Sequence, residues 1–265
     1  MKLRSMGTAL LVLCCLTVLT VSYITYKNKI DLTDALPVPE VTETAVKETE
    51  ETLPDGEVAS AGSEWDSLTA NMDESVQQLF TARQEAGESI QFLITGSNTM
   101  LDGEPGYAAR LKDALEEAYG DLLEVKVISF GGTSQTFSDQ FVDLSSGYDV
   151  VLLEPFTLKN NGVVAIEDER AAIQKFFGQV QEVTPDAELI LHPPQPLFGA
   201  NYYLTQVDAL KEFASLHEYG YINHWDAWPA TDDEALKEFL TDSASPNNEG
   251  ARVWATELID YFVAQ

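Results

Sequence analysis

The chain has 265 residues, with 44 acidic and 15 basic side chains, and therefore a formal net charge of −29 at pH 7. Such an excess of negative charge repels DNA, RNA and anionic lipid headgroups, which excludes nucleic acid from the expected partners. With 45% hydrophobic residues, the chain is long and apolar enough for one α/β domain and an additional anchor or tail.

An uncharged apolar run over residues 6–24 follows Lys2 and Arg4 at the start of the sequence. The run is about as long as a helix that crosses the hydrocarbon core of a bilayer. It predicts a membrane anchor over residues 1–29, which passes the cell membrane once and leaves the rest of the chain outside. The membrane is therefore an expected partner of this segment.

A cleaved signal peptide is an alternative interpretation of this segment, but no small-x-small cleavage site stands between Val21 and Tyr26. A lipidated cysteine is a further alternative, which is disfavoured because Leu13 precedes Cys14 where a small residue is expected. Cys14 and Cys15 are the only cysteines of the sequence. The chain beyond the anchor therefore has no disulfide, no cysteine metal site and no cysteine nucleophile.

Residues 30–63 are rich in Glu and Asp, include three prolines and have few large apolar side chains. Such a composition cannot bury enough surface to offset the loss of chain entropy, so it predicts a flexible acidic linker. A globular domain over residues 64–265 follows. Its first predicted element is a helix from Glu64 to Glu85, in which apolar residues recur at helical spacing.

Strand and helix patterns alternate from Ser89 onward. Predicted strands cover residues 90–95, 123–130, 150–153, 189–192 and 221–223. Predicted helices cover residues 107–119, 168–181, 207–217, 233–240 and 249–263. This alternation predicts a three-layer α/β/α sandwich with a mostly parallel, flavodoxin-like sheet. Functional sites of such sheets form at the carboxyl ends of the strands, where we expect the candidate site.

Three sequence blocks, in this order, resemble blocks of the SGNH (GDSL-type) hydrolases. Gly96-Ser97-Asn98-Thr99 directly follows the first strand, as the first block does in that family, and residues 148–154 are similar to the strand before the third block. The last block, which reads Asp-x-x-His-Pro-Asn-x-x-Gly in the family, is matched in register by Asp242, Pro246, Asn247 and Gly250. The resemblance spans about residues 89–262. It implies the SGNH hydrolase fold and an ester hydrolase.

The nucleophile that the resemblance implies is a serine activated by a histidine, which an aspartate orients. Aligned on Gly96, the position of the serine holds Asn98, and Ser97 stands one residue earlier. Ser97 is the predicted nucleophile, provided that the turn shifts by one residue. Asp242 stands at the position of the aspartate.

The histidine of the last block is replaced by Ser245, whose hydroxyl has no pKa suited to a base near neutral pH. His224, which follows the fifth strand, is the predicted substitute base, with a purely structural histidine as the alternative. Glu154, at the end of the third strand, is a further candidate acid or base, although no partner carboxylate accompanies it.

The remaining site residues also follow from the resemblance. The oxyanion glycine corresponds to Gly131 or Gly132, and Asn160 or Asn161 stands in for the oxyanion asparagine of the third block. Trp225 and Trp228 are expected to bind substrate by stacking on a sugar ring, with core packing as the alternative. No cofactor is expected, and no metal site, because no pair of His or Asp residues has ligand spacing.

Two functions follow from these residues. The first is an extracytoplasmic SGNH-type esterase or deacylase that acts on an acylated cell-wall or surface polysaccharide, or on a small ester. The alternative is a catalytically degenerate relative that binds a glycan or a protein partner in the same cleft. A structural or assembly role of the acidic domain is a third hypothesis, because fold alone does not fix function.

Overall fold

The computed structural model describes residues 64–140 and 143–264. The predicted anchor at residues 1–29 and the predicted linker at residues 30–63 lie outside the described residues and stay predictions. Within the described ranges, every helix is too short or too polar to cross a bilayer.

A parallel sheet forms the centre of the described part. Its strand order is β2-β1-β3-β4-β5, and every pair of neighbouring strands is parallel. The strands are β1 Ile90–Ser97, β2 Leu123–Phe130, β3 Val150–Leu153, β4 Glu188–Leu191 and β5 Gly220–Tyr221. This order is that of flavodoxin-like sheets, and the predicted parallel α/β architecture is confirmed.

Besides a short helical segment at residues 64–68, seven α-helices flank or connect the strands in the described ranges. They are α1 Glu74–Ala86, α2 Tyr107–Tyr119, α3 Ser134–Asp139, α4 Thr157–Asn160, α5 Ile166–Val183, α6 Tyr202–Leu216 and α7 Asn248–Phe262. Short 3-10 helices cover Asn98–Leu101, Gly120–Leu122, His224–Ala227 and Glu234–Phe239.

The two faces of the sheet carry separate hydrophobic cores. Phe92 and Ile94 of β1 contribute to the core under α1, α2 and α7. Leu93, which lies between them, contributes to the opposite core under α5 and α6. Successive side chains of a strand point to opposite faces, so a central strand that is covered on both faces is apolar at every one of these positions.

The predicted first helix differs from the structure. Residues 64–68 are helical, residues 69–73 form a turn, and α1 begins only at Glu74. The turn is held by the C-terminal helix, because the Asn71 side chain donates a hydrogen bond to the Asp260 carbonyl at 2.8 Å. The spacing of apolar residues continues through the turn, which is why the sequence predicted one helix.

Two short helices were not predicted from the sequence, and both lie at the carboxyl edge of the sheet. Helix α3 begins with a capping box, in which the Thr133 hydroxyl and the Thr136 hydroxyl each accept the other residue's backbone N–H. Helix α4 follows Phe156, whose backbone has a φ of 67° and so lies in the left-handed region, which is uncommon for a residue with a large side chain. These helices place the loops after β2 and β3 around the end of β1.

Candidate functional site

The carboxyl end of β1 lies where the strand order reverses, between β2 and β3. Here Gly96 lets Glu154, at the end of β3, approach the backbone, because a Cβ on Gly96 would lie 2.7 Å from the Glu154 Cβ. Oε2 of Glu154 accepts the backbone N–H of Ser97 at 2.8 Å. Oε1 accepts the backbone N–H of Phe156 at 2.8 Å and so holds its left-handed conformation.

Ser97, the predicted nucleophile, is buried beside this carboxylate. Only 3% of Ser97 is exposed, and Glu154 is 1% exposed. Burial raises the pKa of Glu154 above its ordinary value, while hydrogen bonds from Ser97 and Phe156 lower it. The Ser97 hydroxyl therefore lies next to the Glu154 carboxylate, but both groups are buried and not open to solvent.

Asn98, the first residue after β1, is exposed instead. A Cβ on Gly131 would lie 3.2 Å from the Asn98 Nδ2 atom, so the amide lies against the loop after β2. Gly131 is exposed, whereas Gly132 is more enclosed: a Cβ there would lie 2.5 Å from the Thr136 Oγ1 atom. Of the two predicted oxyanion glycines, Gly131 is therefore the one next to the serine position of the family.

The predicted base, His224, is completely buried. Its Nε2 lies 2.8 Å from the Pro193 carbonyl oxygen, and its Nδ1 accepts the Trp228 indole N–H at 3.1 Å. The ring stacks on Trp254 with a centroid distance of 4.4 Å. Burial and the neighbouring His192 hold the pKa of His224 well below its usual value, so the ring is neutral. Both ring nitrogens are already engaged by the Pro193 carbonyl and the Trp228 indole, and neither is free for a serine hydroxyl.

His192 lies at the carboxyl end of β4 and is also completely buried. Its Nδ1 lies 3.2 Å from the Pro193 carbonyl oxygen, and its ring meets Tyr107 edge to face at a centroid distance of 5.5 Å. Burial lowers the pKa of His192 to about 3. Neither of these two histidines is hydrogen-bonded to Ser97 or Asp242 in the described part of the chain.

Asp242 is exposed, and Ser245, at the position of the family's histidine, is half-buried. The Ser245 carbonyl accepts the Thr241 backbone N–H at 2.8 Å, which closes the loop before α7. Asn247 caps α7, with its side-chain oxygen accepting the backbone N–H groups of Glu249 and Gly250. The last block thus keeps its loop and helix start, while the imidazole is replaced by a hydroxyl.

The predicted oxyanion asparagines are placed differently from each other. Asn160 is completely buried, and its amide binds Ser134 and Glu169, while Asn161 is exposed. Glu169, in the first turn of α5, was not singled out from the sequence, because three acidic residues in that turn look like an ordinary solvated helix start.

The two predicted stacking residues lie after β5. Trp228 is 6% exposed and donates to His224, so its ring is part of the core. Trp225 is half-buried; its indole N–H donates to the Pro194 carbonyl at 2.7 Å, and its ring packs against Tyr203. Tyr202, at the start of α6, is the more accessible aromatic at this edge, with 62% of its surface exposed.

A metal site is not formed in the described ranges, where His, Asp and Glu side chains do not gather in groups of three or more at ligand distance. A serine–histidine pair is not formed either: within the described ranges, no histidine is hydrogen-bonded to a serine hydroxyl. The roles predicted for Ser97, His224 and Asp242 remain predictions, on residues that the structure does not bring together by hydrogen bonds.

No family model matches the sequence, and no curated protein matches it. Solved structures match in fold. One is described as a GDSL-like lipase from Parabacteroides merdae, with a TM-score of 0.55 and 12% identity over 66% of this chain and 95% of that one. Another, described as a lipolytic protein of the G-D-S-L family from Desulfitobacterium hafniense, has a TM-score of 0.52 and 16% identity over 65% and 99%.

An acetylxylan esterase from Geobacillus stearothermophilus matches with a TM-score of 0.51 and 14% identity over 65% of this chain and 94% of that one. The chain therefore has the fold of the SGNH (GDSL-type) lipases and esterases, as the sequence blocks predicted. At this level of identity the likeness establishes the fold, and the chemistry depends on the residues of this chain.

Proposed function

We propose that this chain is a catalytically degenerate SGNH-fold protein, which binds an acylated glycan or a small ester at the carboxyl edge of its sheet without hydrolysing it. One observation carries the proposal. The exposed residue directly after β1 is Asn98, whereas Ser97 is buried and His224 has both ring nitrogens bound to the protein.

A serine hydroxyl becomes a nucleophile when a neighbouring base takes its proton. An amide at the exposed position cannot attack an ester, and a serine at position 245 cannot act as the base. Loss of the base alone slows a serine hydrolase by roughly 10⁴- to 10⁶-fold, so the loss of both groups leaves binding as the function of the site.

Turnover of a short-chain aryl ester by the full chain tests this proposal. We expect no hydrolysis above the buffer rate for the unaltered protein, and we expect hydrolysis to appear in the double variant Asn98→Ser with Ser245→His. Each single variant is the matched control and should remain inactive, because nucleophile and base act as a unit. Turnover by the unaltered protein that is lost in Ser97→Ala would contradict the proposal.

Binding is tested with an acetylated and a deacetylated xylo-oligosaccharide, chosen because one structural neighbour is an acetylxylan esterase. We expect the amide resonances of the β1 and β2 loops to shift with the acetylated form. Asn98→Trp should weaken this binding, while Leu216→Ala, an exposed residue at the far end of α6, should not. Equal effects of both substitutions would place the binding elsewhere.

A second candidate function is hydrolysis with Ser97 as the nucleophile. It is favoured by the position of Ser97 next to the Glu154 carboxylate, whose raised pKa suits proton transfer better than that of an exposed glutamate. A serine-reactive phosphonate distinguishes the two: labelling that Ser97→Ala abolishes supports hydrolysis, and absence of labelling supports binding alone.

The proposed location is the outer face of the cell membrane, with the apolar run at residues 6–24 as a single-pass anchor. An external glycan is the ligand that fits this location. Protease added to intact cells should remove the domain and leave the anchor, whereas protection of the domain until the cells are lysed would contradict the orientation.

A further inference from the structure

Glu169 is a buried carboxylate at the start of α5. Only 5% of the residue is exposed, although the two acidic residues before it in the first helical turn, Glu167 and Asp168, are exposed. Its Oε1 accepts the Thr157 hydroxyl at 3.1 Å, and its Oε2 accepts the Asn160 side-chain amide at 2.5 Å. Both carboxylate oxygens are therefore bound by groups of α4, which follows β3.

The hydrogen bonds continue from Asn160 to the loop after β2. The Asn160 Oδ1 accepts the backbone N–H of Ser134 at 3.0 Å, and its Nδ2 donates to the Ser134 hydroxyl at 2.9 Å. Ser134 begins α3, directly after the loop that contains Gly131. One chain of buried hydrogen bonds thus joins α5, the loop after β3 and the loop after β2.

The charged and titratable groups around Glu169 do not neutralise it. Glu154 faces it from the end of β3 and disfavours its ionised form, as burial does. Arg170 favours that form, but its guanidinium donates to the Ala209 carbonyl at 3.0 Å, and no lysine or arginine of the described ranges forms an ion pair with Glu169. Tyr203 of α6 is buried nearby, and the negative charges of Glu154 and Glu169 disfavour ionisation of its hydroxyl.

We propose that Glu169 is a proton-operated latch, which fixes the loops after β2 and β3 around the end of β1 when it is protonated and loosens them when it is ionised. The protonated side chain keeps the network: its proton lies on Oε1, where the Thr157 hydroxyl can turn from donor to acceptor, and Oε2 still accepts the Asn160 amide. The ionised side chain is a buried charge that faces Glu154 and has no ion pair in the described ranges, so the closed arrangement stabilises it poorly. Opening the loops lets water reach the carboxylate and releases the Asn160 contacts that hold Ser134.

The pH range of the latch follows from its surroundings. Burial, opposed by the hydrogen bonds from Asn160 and Thr157, raises the pKa of Glu169 to about 7. The latch is therefore closed on the acidic side of about pH 7, where Glu169 is protonated, and open on the alkaline side. This inference does not depend on the proposed function, because it concerns the loops whether or not a bound ester is hydrolysed.

The test is a pH titration of the full chain by NMR, between about pH 5.5 and pH 8.5, which follows the backbone amide of Ser134. We expect its resonance to shift with a midpoint near pH 7 in the unaltered protein and to lose that transition in Glu169→Gln. Glu167→Gln, an exposed neighbour in the same turn, is the matched control and should keep it. A transition that persists in Glu169→Gln, or that is missing from the unaltered protein, would overturn the proposal.

Thr157→Val provides a second measurement if Glu169→Gln does not fold. Valine keeps the volume of the buried threonine but removes the hydroxyl that donates to Oε1. Because that bond favours the ionised form, the midpoint of the Ser134 transition should move to higher pH. An unchanged midpoint would show that the titrating group is not Glu169.

Discussion

Substitution of His192 by Asn tests how much unfolding free energy the protein loses in acid because this buried imidazole resists protonation in the folded state. The Asn side-chain N–H can replace the Nδ1 contact to the Pro193 carbonyl, while the group that titrates is removed. His192 is completely buried, and burial lowers its pKa in the folded state from 6.5 to about 3. The unfolded chain therefore binds a proton between these two values that the folded chain does not bind.

The sign and size of the effect follow from this difference. Because the unfolded state takes up the proton, stability is lost as the pH falls below about 6.5, and the loss continues until about pH 3. The full effect is about 5 kcal/mol, at about 1.4 kcal/mol for each pH unit. Between about pH 7.5 and pH 5, His192 should account for about 2 kcal/mol of the decrease in unfolding free energy.

Urea unfolding of both proteins at these two pH values measures the effect, by fluorescence or circular dichroism. We expect the difference in unfolding free energy between the two pH values to be smaller by about 2 kcal/mol in His192→Asn. His217→Asn, on an exposed histidine at the end of α6, is the control and should leave the difference nearly unchanged. Equal pH dependence of unaltered protein and His192→Asn would refute the reasoning, since it would mean that His192 titrates normally in the fold.

Three further predictions concern packing and burial. Gly96→Ala should destabilise the fold by about 3 kcal/mol in thermal or urea unfolding, because its Cβ would overlap the Glu154 side chain, whereas Gly178→Ala, at an open position in α5, should not destabilise it. Burial raises the pKa of Glu169 in the folded state from 4.5 to about 7, so the unaltered protein loses unfolding free energy as the pH rises from about 4.5 to about 7. Glu169→Gln carries no charge, and it should therefore be more stable than the unaltered protein by up to about 3 kcal/mol near pH 8 and equally stable near pH 4. Trp228→Phe should cost about 1 kcal/mol or more of unfolding free energy, because it leaves the Nδ1 of His224 without its donor, and an unchanged stability would contradict that bond.

The order of the elements was predictable because the sequence marks it locally. The strands at residues 123–130 and 150–153 and the helix at residues 107–119 agree with the structure to the residue. Each is a short alternating, helically spaced or continuous apolar run that ends at glycine or at a polar turn. The helix predicted from Glu64 to Glu85 failed because contacts with α7 hold a turn within an otherwise continuous pattern.

The environment of the site was not predictable in the same way, because distant residues create it. Ser97 is buried by Glu154, which is 57 positions away, and His224 is bound by the Pro193 carbonyl, which is 31 positions away. Glu169 looks like any acidic residue of a helix start until the fold places Asn160 and Thr157 against it. Local patterns carry no information on such contacts, which decide pKa values and access to solvent.

The aromatic residues that stabilise the fold beneath the site are different from the residues that the hydrolase pattern requires. Trp254 is held between Tyr107 and His224, with centroid distances of 4.2 and 4.4 Å, and all three rings are buried. The two positions that depart from the hydrolase pattern, Asn98 and Ser245, lie outside this stack and retain contact with solvent. Substitutions at such positions change stability little. Under the proposed function, Asn98→Ser with Ser245→His would therefore change the chemistry of the site while the ring stack beneath it stays the same.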